Sequence, residues 1–372
     1  MTRRSVLHVA LVSLLFGGGL IGHTQAQVPP NIASELEKMG HIVDSACTAR
    51  LYRPLMPAND ITSKVTPLYP GHTITRNVSF GPDVKDVVDI MVADKGAPER
   101  PVLIYVPGGT GSKIEISDKA GNAFYDNIAR WANDNGMVAV VMQRHPAREW
   151  NDGAKDVSAM IQWIQANISK YHGNPQRMFI WAHSAGNNPV GTYLGHPELH
   201  GPGGVGLKGA VLMSGQFNAL PVQGPPNPNA GSANPFATSG LTCGAGTPNS
   251  DAGALPGQAP GTPGGPYPPQ AAPLAPPAAP DPAVQLSRSS LPGLKASPVK
   301  LMLVSAELDN GVNGAMSPFL QALHDELCKV SADRCPNMLF AKGESHMSEV
   351  FAIGTSDTIV SGPILEWIKS VK

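Results

Sequence analysis

Apolar residues follow two alternating rhythms along this chain. Val102–Val106, Met137–Met142 and Phe179–Trp181 are short continuous apolar runs, and Leu207–Met213 and Val299–Val304 are apolar but for Lys208 and Lys300. Such runs read as strands covered on both faces, because a strand with one solvated face would alternate apolar and polar residues. Met338–Phe340 reads as a last, shorter strand, and Thr73–Phe80 with Val87–Val92 as a pair of edge strands. Between the runs the period changes. Val157, Met160, Ile161, Ile164 and Ile168 recur at helical spacing and mark an amphipathic helix. Helices are also predicted over Asn122–Asn135, just after residue 186, over Pro318–Val330 and over Ser361–Val371. Ser34 and Glu37 have the spacing of a capping box for an N-terminal helix. Strands alternating with helices predict a mostly parallel central sheet wrapped by helices on both faces.

Two stretches break the rhythm. Residues 219–298 hold 19 of the chain's 37 prolines and only four charged residues, Asp251, Asp281, Arg288 and Lys295. Proline at that density removes backbone donors and blocks both helix and ladder, so this segment is expected to be a largely irregular insertion. It reads as a spacer, a lid or a polymer-contact segment, with the spacer preferred. At the other extreme, Arg3 and Arg4 precede an apolar stretch from Val6 to Gly22, and Thr24-Gln25-Ala26 follows. That is the pattern of a signal peptide over residues 1–26, which predicts a secreted or periplasmic protein. Residues 27–72 then form an N-terminal helical extension, and 73–218 with 299–372 form one α/β domain.

A net charge of −1 without a Lys/Arg cluster excludes nucleic acid and an anionic membrane surface as expected partners. Four cysteines suit an exported chain. Cys328 and Cys335 are close enough in sequence to bridge, which would leave Cys47 and Cys243, although three connectivities are open. No Cys/His spacing reads as a zinc site, and no cofactor motif is evident.

The chemistry concentrates just past the predicted strands, where sites in such sheets lie. Phe179-Ile180-Trp181-Ala182-His183-Ser184-Ala185-Gly186 is a strand running into small residues around a serine. This is a nucleophile elbow of the G-x-S-x-G type, with Ala182 in the first glycine's place. The turn must be tight enough to hold the Ser184 hydroxyl above the sheet. After Val106 comes Pro107-Gly108-Gly109-Thr110-Gly111. Glycines there let backbone N–H groups turn inward, so Gly108, Gly109 and Thr110, together with Ala185, are candidates for an oxyanion hole. After Val304 comes a loop carrying Glu307 and Asp309, of which Asp309 lies deeper and is preferred. After Phe340, His346 is placed to act as a base. His183 adjoins the serine on the elbow and is expected to point away. His145, His172 and His324 read as surface or structural residues. The order Ser184, Asp309, His346 is that of an α/β-hydrolase triad.

On these residues the chain resembles the α/β-hydrolase superfamily, and within it the secreted carboxylesterases near the hormone-sensitive-lipase group. Leu103–Gly109 is similar to that group's strand and His-Gly-Gly loop. Asp156-Val157 opening a helix, Asn174-Pro175-Gln176-Arg177 and Ala182–Gly186 follow in the same order. Two departures stand out. Pro107 replaces the group's loop histidine, so a stabilising hydrogen bond must come from elsewhere, and Thr110 stands where a third glycine is common. The resemblance implies carboxylic-ester hydrolysis through an acyl-enzyme, with no metal or cofactor, on a small or polymeric ester. A peptidase or amidase on the same fold is the second reading, and a non-catalytic binding protein the third.

Overall fold

The computed structural model describes residues 27–56, 69–109, 124–144, 149–220 and 281–372. The expected signal peptide, Thr110, Cys243 and most of the proline-rich insertion lie outside these residues. Eight strands make one sheet: β1 (His72–Ser79), β2 (Val87–Ala93), β3 (Arg100–Val106), β4 (Val138–Met142), β5 (Gly173–His183), β6 (Gly209–Met213), β7 (Lys300–Leu308) and β8 (Asn337–Ser345). Their order is β1-β2-β4-β3-β5-β6-β7-β8. β1 pairs antiparallel with β2, and β2 with β4, while all other pairs are parallel. Of the two strands expected at the edge, only β1 is an edge. β2 is flanked on both sides, which explains why it is buried almost throughout.

Alternation along each strand divides the core in two. Leu103, Tyr105, Phe179, Trp181 and Val211 face α1 (Pro30–Met39), α3 (Asp126–Asp134) and α10 (Ser361–Ser370). Val102, Ile104, Val106, Ile180 and Leu212 face α4 (Asp152–Asn167), α5 (Asn187–Gly195) and α8 (Pro318–Cys328). Both faces are therefore dry, as the continuous apolar runs require. Among the described residues, no helix is long and apolar enough to cross a membrane.

Several boundaries differ from the sequence pattern, each for an identifiable reason. β7 continues through Glu307 to Leu308, and β8 starts at Asn337 and continues to Ser345. Apart from Leu308 the added residues are polar or small, so apolar pattern could not find them, yet their backbones pair, Ser305 with Phe340 and Leu308 with Ser345. The N-terminal helix does not use Ser34 and Glu37 as a capping box. It begins at Pro30, whose fixed φ and absent N–H suit a first helical position, and no side chain caps it. The insertion is not irregular throughout. Its returning end forms α6 (Pro282–Ser287) and α7 (Leu291–Ala296). Ser290 N–H donates to the Asn218 carbonyl at 2.7 Å, and Ser289 Oγ to that of Ala219 at 2.8 Å. The insertion thus leaves and rejoins the fold at one point. Cys328 and Cys335 form a disulfide, and Cys47 is also disulfide-bonded.

The N-terminal extension is anchored through polar contacts. Tyr52, at the end of α2 (Ser45–Tyr52), donates its hydroxyl to Asp357 at 3.1 Å. Asp357 interacts in turn with Glu344, which also accepts from Ser348 Oγ. Glu344 is fully buried, and burial first, then the Asp357 charge, push its carboxyl well above the usual range. The folded protein therefore keeps a proton that the unfolded chain releases above about pH 4.5. Stability from this group falls by about 1.4 kcal/mol per pH unit from there until the folded carboxyl itself ionises. Glu344→Gln removes that dependence. A melting temperature higher than wild type at pH 8, with the difference shrinking at pH 5, is the expected result in thermal melts. An unchanged pH slope would count against it.

Candidate active site

The carboxyl ends of β3, β5, β7 and β8 supply the site. β5 ends at His183, and Ser184 follows in left-handed backbone, with φ of +52°. For a side-chain-bearing residue this costs on the order of 1–3 kcal/mol. The surroundings enforce it by close approach. A Cβ on Gly186 would lie 2.5 Å from the Val106 carbonyl oxygen, and one on Gly108 would lie 2.6 Å from Ser184 Cβ. No alanine fits at either position without moving backbone, so the turn and the loop after β3 are packed against each other.

Register then brings the partners in. Leu308 and Ser345 are paired across β7 and β8, and the residues directly after them are Asp309 and His346. His346 Nε2 lies 2.8 Å from Ser184 Oγ, and its Nδ1 lies 2.9 Å from Asp309 Oδ1. Asn310 N–H donates to the same carboxylate oxygen at 2.7 Å. His346 is largely buried, which lowers its basicity, but the adjacent Asp309 charge and hydrogen bond outweigh burial and raise its pKa above 6.5. Glu307, the second candidate for the acid, lies within β7 and accepts the Gly343 N–H at 2.8 Å, while the histidine is paired with Asp309.

Three neighbours were not legible in the sequence. His183 Nε2–H donates to the His346 main-chain carbonyl at 2.9 Å, and the two rings lie 4.7 Å apart. The residue expected to face away from the chemistry therefore braces the loop that carries His346. Burial, reinforced by His346, holds the His183 pKa far below its usual value, so the ring is neutral. Glu349 is buried beneath, 3.3 Å from the same His183 nitrogen. The shorter contact to the carbonyl takes the proton, and burial plus the Asp309 charge keep Glu349 protonated. From the N-terminal extension, His41 Nδ1 lies 2.7 Å from the Asp309 carbonyl oxygen. A loop between two helices gives no pattern that could announce that contact.

Of the expected oxyanion donors, Gly108 abuts Ser184, Gly109 follows it in left-handed backbone with φ of +57°, and Ala185 follows the serine in a short 3₁₀ turn, Ser184–Gly186. His183, His346 and Glu349 are close enough to share a metal. However, both His346 nitrogens are already engaged, so coordination there would break the Ser184–Asp309 bridge. His324, Cys328 and Cys335 also cluster, but the two sulfurs are bonded to each other and offer no thiolate.

Residues 87–243 match the model of the carboxylesterase family. Chlorogenic acid esterase of Aspergillus niger is 32% identical over 105 residues, covering 26% of this chain and 20% of that protein. The chain thus aligns with about one fifth of the length of the curated relatives it matches. Among solved structures, a bacterial heroin esterase superposes with a TM-score of 0.56 at 17% identity, covering 93% of this chain and 98% of the other. A bacterial esterase of the hormone-sensitive lipase family does so with a TM-score of 0.50 at 16% identity, covering 93% and 99%. The chain has the α/β-hydrolase fold, and within that fold its sequence is similar to the carboxylesterases.

Proposed function

We propose that this protein is an exported serine hydrolase that cleaves carboxylic esters through Ser184, His346 and Asp309. The observation that carries this reading is the unbroken line of contacts, 2.8 Å from Ser184 Oγ to His346 and 2.9 Å from His346 to Asp309, on a serine in left-handed backbone. Ser184 Oγ attacks the substrate carbonyl while His346 Nε2 takes its proton. His346 returns that proton to the leaving alcohol. Asp309 fixes the tautomer with Nδ1–H and stabilises the imidazolium. The N–H groups of Ala185 and of the Gly108–Gly109 loop receive the oxyanion, each such donor being worth about 2.7–4 kcal/mol in the transition state. Water, activated by the same histidine, then releases the acid from the acyl-enzyme. The names of the similar proteins support ester over amide hydrolysis. Residues 1–26 support export.

The test is turnover of p-nitrophenyl butyrate against the matching p-nitroanilide, with labelling by a fluorophosphonate. Ester turnover and one adduct per chain on Ser184 are expected. Preference for the anilide would favour the amidase reading, and an unlabelled, inactive protein would leave a binding protein on this fold.

A further inference from the structure

The loop after β3 needs an anchor, because Pro107 has no polar side chain with which to hold it. The anchor comes from the neighbouring strand. Arg144 stands two residues past the end of β4, which pairs directly with β3. Its Nε–H donates to the Pro107 carbonyl at 2.7 Å, and Nη2 donates to the carbonyls of Gly108 at 3.2 Å and Gly109 at 2.9 Å. One guanidinium thus holds three consecutive backbone carbonyls.

That arrangement has two consequences for the opposite side of the loop. In a trans peptide the C=O and N–H point in opposite directions. Holding the Pro107 and Gly108 carbonyls toward Arg144 turns the N–H groups of Gly108 and Gly109 away from it. Among the described residues, neither N–H donates to any other group. Gly108 is itself the residue that abuts Ser184 Cβ. The second consequence is electrostatic. No carboxylate among the described residues neutralises Arg144, and arginine stays charged at any working pH. A cation bound to the carbonyl end of a peptide strengthens the donor at its other end, because chained hydrogen bonds polarise one another.

We propose that Arg144 is the positioning residue of the oxyanion loop: its guanidinium clasps the Pro107, Gly108 and Gly109 carbonyls, so that the Gly108 and Gly109 N–H groups are aimed and polarised toward the oxygen that becomes negative. This rests on the reading of Ser184 as an ester nucleophile. The clasp is made before substrate arrives, so no reorganisation is required when the oxyanion forms.

The experiment compares wild type, Arg144→Met and Arg144→Lys on p-nitrophenyl butyrate, below the melting temperature of each. It adds inhibition by an aryl trifluoromethyl ketone, whose carbonyl carbon bonds to Ser184 Oγ while the Oγ proton passes to His346 and the ketone oxygen becomes the oxyanion. For Arg144→Met, kcat falls on the order of 10²-fold, the scale of one lost oxyanion donor, with KM within about threefold of wild type. The ketone binds more weakly by a similar factor, and the acid limb of the pH profile, set by His346, stays in place. Wild-type kcat in Arg144→Met, or a loss confined to KM, would overturn the proposal. So would a kcat loss with undiminished ketone affinity. If Arg144→Met does not fold, Arg144→Lys decides. An ammonium is a point charge and cannot span three carbonyls, so kcat drops about tenfold, and full activity overturns the clasp. A wild-type protein inactive on every ester fails the esterase reading itself, whereas an active wild type matched by its Arg144 variants fails only this inference.

Discussion

Ser184→Ala is expected to lower kcat on p-nitrophenyl butyrate by a factor on the order of 10⁴–10⁶ while leaving KM nearly unchanged. The hydroxyl is the only group removed, and among the described residues its partner is His346 Nε2 at 2.8 Å. Alanine keeps the Cβ that packs against Gly108, so the loop has no reason to move. The backbone strain at φ of +52° also remains, and stability should change by less than about 1 kcal/mol. Ser184→Gly separates strain from chemistry. It is equally inactive, but it relieves the left-handed conformation and melts higher than Ser184→Ala. Adding His346→Ala to Ser184→Ala costs little more activity, because the two groups act as a unit. Retention of wild-type turnover by purified Ser184→Ala would end the case for this serine as nucleophile.

Asp309→Asn is expected to lower kcat by about 10⁴-fold, because an amide facing His346 Nδ1 favours the wrong tautomer. The pH profile supplies a second, independent readout. Turnover requires neutral His346, so the acid limb in the wild type lies above pH 6.5, where the net effect of Asp309 places the histidine. Removing the Asp309 charge leaves burial as the dominant influence, and burial lowers the pKa. The limb of the residual activity therefore moves to lower pH in Asp309→Asn. Glu307→Asn is the control. Glu307 holds the Gly343 N–H and not the histidine, so its loss should leave the position of the limb unchanged. A limb that moved with Glu307 and stayed with Asp309 would reverse the assignment.

Both predictions concern residues that stand out in the sequence because each follows a strand. Phe179–Trp181 before Ser184 and Leu301–Val304 before Asp309 are apolar because the sheet is covered on both faces, while Met338–Phe340 before His346 are half-buried on the edge strand β8. The amphipathic helices are legible for a related reason, since α4 must turn Val157, Ile161 and Ile164 toward one core. The ends of β7 and β8 were not legible. Ser305, Ala306, Ala341 and Ser345 are held there by backbone pairing, and a backbone hydrogen bond leaves no mark on side-chain pattern. The capping box at Ser34 and Glu37 failed because a proline four residues earlier starts the helix just as well.

What the chain determined by itself is local: which segments are apolar on one face or two, where small residues permit a tight turn, and which reactive side chain follows each strand. Those properties depend on neighbours in sequence, and a sequence displays them. What tertiary structure decided is who meets whom. Strand order and the β7–β8 register place Asp309 beside His346, while β4 lying against β3 brings Arg144 to the loop carbonyls. Packing turned His183 toward the His346 loop and carried His41 to Asp309. These contacts join residues from 35 to 268 positions apart, as Arg144 to Gly109 and His41 to Asp309 show. Over such separations, chain connectivity imposes almost no geometry, and only the cooperative burial of two apolar faces selects one arrangement.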